Sequence, residues 1–153
     1  METDIDISRV TTFFVRGNPR GKARPRFAHG HAYTDDRTRD YERLVQQTFL
    51  AAGGKRLHGP VSVSIKVHFG VPDRWNKAAR ELAFRGKLAA TRKPDIDNIA
   101  KIILDALNGV AWEDDVQVVN LSIGKAYSDE PSVSVTVFDA SDYYEGGVVH
   151  GRA

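Results

Sequence analysis

Asp95 and Asp97 are separated by one residue, and the adjacent pair Asp114-Asp115 follows in the same stretch, with Lys101 and Asp105 between them. Oxygen-only carboxylate sets suit hard cations such as Mg²⁺ or Mn²⁺ rather than zinc. An ion held that way activates a water and offsets charge on a scissile phosphate. A neighbouring lysine can neutralise charge in the transition state. Asp95, Asp97, Asp114 and Asp115 are therefore candidate metal ligands, and Lys101 is a candidate catalytic cation. A plainer reading is open at the same residues. Asp97 as an N-cap and Asp95 beside a helix dipole explain two of the acids. An Asp97-Lys101-Asp105 stripe is also a salt-bridged solvent face, worth about a few tenths of a kcal/mol per pair. Capping leaves Asp114 and Asp115 unexplained. The spacing is not that of an EF-hand loop, which needs a Gly and a Glu at set positions.

One helix has to position these groups. Pro94 biases Lys93 towards extended structure, so a helix is expected from about Asp97 to Leu107, ended by Asn108-Gly109. Ile99, Ile102, Ile103, Ala106, Leu107 and Val110 must face the core, which leaves one narrow polar stripe carrying Asp97, Lys101 and Asp105. The helix is expected to hold both acidic ends beside one metal.

The remaining elements follow from periodicity. Val10 to Val15 reads as a strand, and Arg16 to Arg26, with two glycines and two prolines, as a loop. Phe27 to Tyr33 is a short strand or more loop. A helix capped by Thr34 or Asp35 runs to about Ala52 and ends at Gly53-Gly54. Val61 to Val71 alternates apolar and polar through Phe69 and is the clearest strand, with Ser62, Ser64, Lys66 and His68 on its polar face. Asp73 to Lys93 is a basic connection with a helical turn from Asn76 to Phe84. Val116 to Tyr127 and Val133 to Phe138 read as two strands. The order β, α, β, α, β, β implies a small single α+β domain, with a mixed sheet and helices packed on one face. The domain is expected at 10–139, between a flexible leader at 1–9 and a flexible tail at 140–153.

Composition bounds the function class. The chain has 153 residues, a net charge of +2 and no cysteine. That removes disulfides, thiolate zinc sites and a cysteine nucleophile, and it fits a cytoplasmic setting. No apolar run reaches a membrane span, and the acidic N-terminus is neither a signal nor a transit peptide. Charge is unevenly distributed: Arg16 to Thr34 holds bases and no acid, and Arg74 to Lys93 is strongly basic. Basic segments flanking an acidic pocket suit an enzyme acting on a polyanion, although solvated basic loops read the same way. Arg20, Lys22, Arg24 and Arg26 are the first candidates for phosphate contacts, followed by Arg74, Lys77, Arg92 and Lys93. Trp75 and Trp112 are candidates for base stacking, weighed against places in the core.

Three segments together resemble a known family: Lys93-Pro94-Asp95-Ile96-Asp97-Asn98-Ile99-Ala100-Lys101, Leu104-Asp105-Ala106-Leu107-Asn108-Gly109 and Trp112-Glu113-Asp114-Asp115-Val116-Gln117-Val118. The sequence is similar here to the RusA family of Holliday junction resolvases, endodeoxyribonucleases frequent in phages and prophages. Pro19-Arg20-Gly21-Lys22-Ala23-Arg24-Pro25-Arg26 with Ala32-Tyr33-Thr34 resembles phage-type members. The likeness implies a RusA-like α+β fold and a homodimer that cuts four-way junction DNA by paired symmetric nicks. It implies one Mg²⁺-dependent site per subunit, roles in DNA recombination and repair, and a bacterial or phage-infected host cytoplasm. The family's catalytic aspartates carry over to Asp95, Asp97 and Asp115, its lysine to Lys101, and Asp114 stands beside the matched acid. Two other readings remain at this stage: a Mg²⁺-dependent nuclease for other branched nucleic acids, and a non-catalytic nucleic-acid binder with a structural ion.

Overall fold

A computed structural model describes residues 9–144. Its elements in chain order are β1 (Val10–Arg16), β2 (Arg26–Ala28), β3 (His31–Tyr33), α1 (Asp36–Ala51), β4 (Val61–Gly70), α2 (Lys77–Phe84), α3 (Ile96–Leu107), β5 (Val118–Ser128) and β6 (Ser132–Asp139). Four strands form one mixed sheet in the order β1-β6-β4-β5. β1–β6 and β6–β4 are antiparallel, whereas β4–β5 is parallel. A parallel pair needs a long crossover, and the chain between β4 and β5 carries α2 and α3. The expected α+β architecture is the one found.

Period-two alternation places the core on one side of the sheet. Val61, Val63, Ile65, Val67 and Phe69 of β4 are buried, as are Val133, Val135 and Val137 of β6 and Phe13 and Val15 of β1. Tyr41, Val45 and Phe49 of α1 cover this face together with Ile99, Ile102, Ile103, Ala106 and Leu107 of α3. Phe13 and Phe49 meet edge to face, with centroids 5.7 Å apart. The α3 residues expected to face the core do so, and Val110, beyond the end of the helix, is half-buried.

Local signals fixed most boundaries. The Asp35 side chain accepts a hydrogen bond from the Thr38 N–H at 2.7 Å and caps α1. Asn76 caps α2 in the same way. Two expectations need correction. α3 starts one residue earlier than expected: its N-cap position is Asp95, whose carbonyl accepts the Ile99 N–H, so Asp97 lies in the first turn and is not the cap. The strand expected from Val116 starts at Val118, because Asp115–Gln117 forms a 3-10 turn stabilised by a capping box between Asp114 and Gln117.

Regular structure continues past Asp139 into a 3-10 turn at Ser141–Tyr143. Arg9 pairs with Asp139 at 3.1 Å and with Asp142 at 2.9 Å, which ties the two ends of the described chain together. The rest of the expected leader, 1–8, and of the expected tail, 145–153, lies outside the described residues.

Burial works to raise the Asp139 carboxyl, but hydrogen bonds from Ser141 and the Arg9 guanidinium outweigh it and hold the group below its ordinary value. A depressed folded-state value contributes stability above the unfolded carboxyl pKa, and that contribution is lost as pH falls through the folded one. Asp139→Asn is therefore expected to melt below wild type near neutral pH. The gap between the two should narrow as pH drops below the ordinary carboxylate range, as followed by thermal melts at stepped pH.

Candidate active site

The two acidic groups sit at opposite ends of α3. Asp95 and Asp97 are exposed at its N-terminal end, and neither side chain makes a capping bond there. At the other end, the Asp114 side chain accepts the Val116 N–H at 3.1 Å and is engaged in capping. One oxygen of Asp115 accepts the indole N–H of Trp112 at 2.8 Å. Trp112 is fully buried, so it anchors this turn and is not available for base stacking. A hydrogen bond from so rigid a donor fixes the Asp115 rotamer and leaves its second oxygen without a protein partner among the described residues.

α3 has 12 residues, about 18 Å at the usual rise per residue. Its surroundings confirm the separation. Gln117, beside Asp115, donates to the carbonyls of Leu57 and Gly59 ahead of β4. At the far end of β4, the Arg92 guanidinium lies 4.7 Å from the Phe69 ring, just before Asp95 in the chain. The expectation that one chain holds both acidic ends beside one metal is therefore corrected. A helix of this length separates its two ends, and among the described residues no three His, Asp or Glu side chains group closely enough for a metal ion.

Lys101 is exposed one turn beyond Asp97. No carboxylate lies within 4.0 Å of it among the described residues, so the salt-bridged stripe does not form. Asp105 instead pairs with Lys22 from the first basic loop. The Lys22 ammonium lies 2.5 Å from Glu42 on α1 and 3.0 Å from Asp105 on α3, with its side chain only 17% exposed. Burial works to lower its pKa, but the two carboxylate hydrogen bonds outweigh it and raise it. Lys22 is thus turned into the protein as a clamp.

Other contacts hold that loop in place. Pro19 is buried. Burial pushes the Tyr41 hydroxyl pKa up to about 12, against a smaller lowering influence of the neighbouring Arg20. The Lys22 N–H donates to the Asn98 carbonyl at 2.9 Å. Gly21 presses on α3 so closely that an added Cβ would meet the Pro94 Cβ at 2.8 Å, which calls for glycine at this position. Asp95 and Lys93 thereby share an open groove of about 350 Å³ with Gly21, Lys22, Pro94 and Asn98.

The two basic segments, far apart in sequence, meet at this end of the sheet. Gly17 donates to Pro131 in the β5–β6 turn, Gly70 lies beside the same proline, and Arg92 stacks on Phe69. Arg20, Arg24, Arg26, Arg74, Lys77, Arg92 and Lys93 are all exposed. Lys77 approaches Glu81 at 3.9 Å, a surface contact of little energetic weight. Trp75 is half-buried edge-to-face against Tyr127. The cluster also contains residues that sequence reasoning passed over. Arg37 joins Arg20, Arg26 and Tyr33 around a cleft of about 590 Å³ that also exposes Asp35 and Asp36. Nothing in the helical pattern of α1 set Arg37 apart from its solvent-facing neighbours.

Comparison with known proteins bears on this arrangement. The model of the family described as endodeoxyribonuclease RusA matches residues 16–138. A Bacillus subtilis (strain 168) protein named uncharacterized protein YqaN is 36% identical over 137 residues, covering 84% of this chain and 96% of its own length.

The Lys22 clamp yields a stability test. Lys22→Met leaves Glu42 and Asp105 facing one another without a cation and is expected to cost about 1–3 kcal/mol in urea denaturation. Arg24→Ala, at an exposed position, should stay within about 0.5 kcal/mol of wild type.

Proposed function

The chain belongs to the RusA family of endodeoxyribonucleases, a Holliday junction resolving family, and from that premise we propose that it works as a Mg²⁺-dependent homodimer that resolves four-way DNA junctions by paired nicks. The observation that carries the site assignment is that Asp95 and Asp97 occupy the start of a helix without capping it. Their carboxylates keep their oxygens for another partner, and the donor set suits a hard cation. When bound, Mg²⁺ supplies an activated water and offsets charge on the scissile phosphate; Mn²⁺ satisfies the same donors.

The two ends of α3 cannot serve one ion within a single chain, so the proposed site is shared between two copies. Asp95 and Asp97 of one copy would combine with Asp115 of the other, with Asp114 bracing the turn beside it. The open edge of the sheet supports this arrangement. β5 runs from the Asp115 end to the Asp95 end and has β4 on one side only. Val119 and Leu121 on it are 48% and 38% exposed. An unprotected edge of this kind favours pairing with a further strand. Antiparallel, two-fold pairing of β5 with its copy sets the Asp115 end of each chain against the Asp95 end of the other.

The chain's own groups then divide the work. Trp112 holds Asp115 in one rotamer. Lys101, free of any ion pair among the described residues, faces the phosphate and stabilises its developing charge. The exposed arginines and lysines at the Asp95 end bind phosphates away from the cut. A two-fold dimer presents two such sites, as paired cuts on a four-fold branch require.

Subunit mixing tests the arrangement. Asp97→Asn and Asp115→Asn homodimers are each expected to bind a four-way junction in EDTA and to fail to nick it in Mg²⁺. In a mixed dimer of the two variants, a shared site regenerates one intact carboxylate set, so nicking of one strand should return. A mixed dimer as inactive as its parents means that each site is built within one chain. Nicking that persists in EDTA, or equal cutting of a matched linear duplex, would overturn the metal-dependent, junction-specific reading. As a second test, Trp112→Phe removes the indole donor and should slow nicking about tenfold while leaving junction affinity unchanged.

A further inference from the structure

Phe27 is 80% exposed. It lies on β2, which pairs only with β3 in a two-stranded sheet separate from the main one. The turn between them is His29-Gly30, with φ of 49° and 77°, the left-handed pair that suits a tight two-residue hairpin. Phe27 stands opposite Ala32, which is too small to cover the ring. Arg26 and Tyr33 form the adjacent pair and point to the other face, where they line the cleft with Arg20 and Arg37. One side of the hairpin therefore carries guanidinium groups and the other an uncovered aromatic ring.

Such a pairing has a defined chemical complement. Every nucleobase has a π-face on which an aromatic side chain can stack, and the adjoining phosphates attract arginine. A ring inserted at a base step replaces the stacking of the neighbour it displaces. The branch point of four-way DNA is where base stacking is interrupted. The hairpin is also tied to the Asp95 groove: Lys22 lines that groove and lies five residues from Phe27, a span of at most about 17 Å.

Resting on the junction-resolving reading above, we infer that Phe27 is a stacking wedge for an unstacked base at the branch point of four-way DNA, with Arg24 and Arg26 holding the flanking phosphates. The ring recognises the interrupted stack, and the arginines alone bind duplex and junction alike.

The test uses the full chain in EDTA with a four-way junction carrying 2-aminopurine at the branch, and a linear duplex carrying the same base. Wild type is expected to raise 2-aminopurine fluorescence in the junction and not in the duplex. Phe27→Ala should abolish that rise and weaken junction binding about tenfold, with duplex affinity and melting temperature unchanged. Phe27→Trp should keep the junction affinity. The inference is overturned if Phe27→Ala retains both the rise and the affinity, if it weakens duplex binding equally, or if Phe27→Trp loses affinity as the alanine variant does. A Phe27→Ala chain that sediments as a monomer, where wild type is a dimer, would assign the ring to the contact between copies. Wild type that fails to nick the junction in Mg²⁺ overturns the resolvase reading, whereas the fluorescence in EDTA judges Phe27 apart from any cleavage.

Discussion

The apolar face of α3, packed into the core beside α1 and over the sheet, is the contact on which the rest of the arrangement depends. Ile99, Ile102, Ile103, Ala106 and Leu107 are buried together with Val61 to Phe69. Burial of this extent fixes which face of the helix turns inward. The crossover through α3 also makes the β4–β5 pairing parallel, and so places the start of β5 beside the start of β4. Both acidic groups are consequently held rigidly, but at opposite ends of the sheet. A helix that brought them together would have to bend away from its own core.

The same packing gathers the cations. The β5–β6 turn, the end of β4, the approach to α3 and the first basic loop all arrive at one end of the sheet, each through a specific contact: Gly17 with Pro131, Arg92 with Phe69, and Gly21 with Pro94. The Lys22 ammonium between Glu42 and Asp105 fastens the loop to both core helices. One basic residue is thus consumed in holding the loop, while the arginines beside it remain exposed. The exposed cations therefore lie at the end of the molecule that carries Asp95 and Asp97, opposite the Asp115 end.

Within the sequence, the elements whose side chains repeat at the period of their backbone were legible. The alternation of Val61 to Phe69, the single apolar face of α3 and the capping residue of α1 each rest on local rules, and the structure follows them. The misses share another cause. Asp95 and Asp97 compete for one cap, and the choice between them turned on backbone bonding at Ile99 rather than on residue type. The 3-10 turn at Asp115 depends on Gln117 reaching the carbonyls of Leu57 and Gly59. The hairpin at Phe27 did have a local signal, the His29-Gly30 turn, but its short strands carry little periodicity.

The sequence by itself determined the family and the α+β architecture, and it nominated the acids and the lysine of the candidate site. These are matters of residue type and short-range spacing. Only the tertiary structure decided which groups are neighbours. It turned Lys22 from a surface cation into an internal clamp, buried Trp112 behind Asp115, brought two distant basic segments together and separated the acids that the sequence places closest to one helix. Distance in space depends on how elements lie against one another, and a rigid helix keeps its two ends apart however close they appear along the chain.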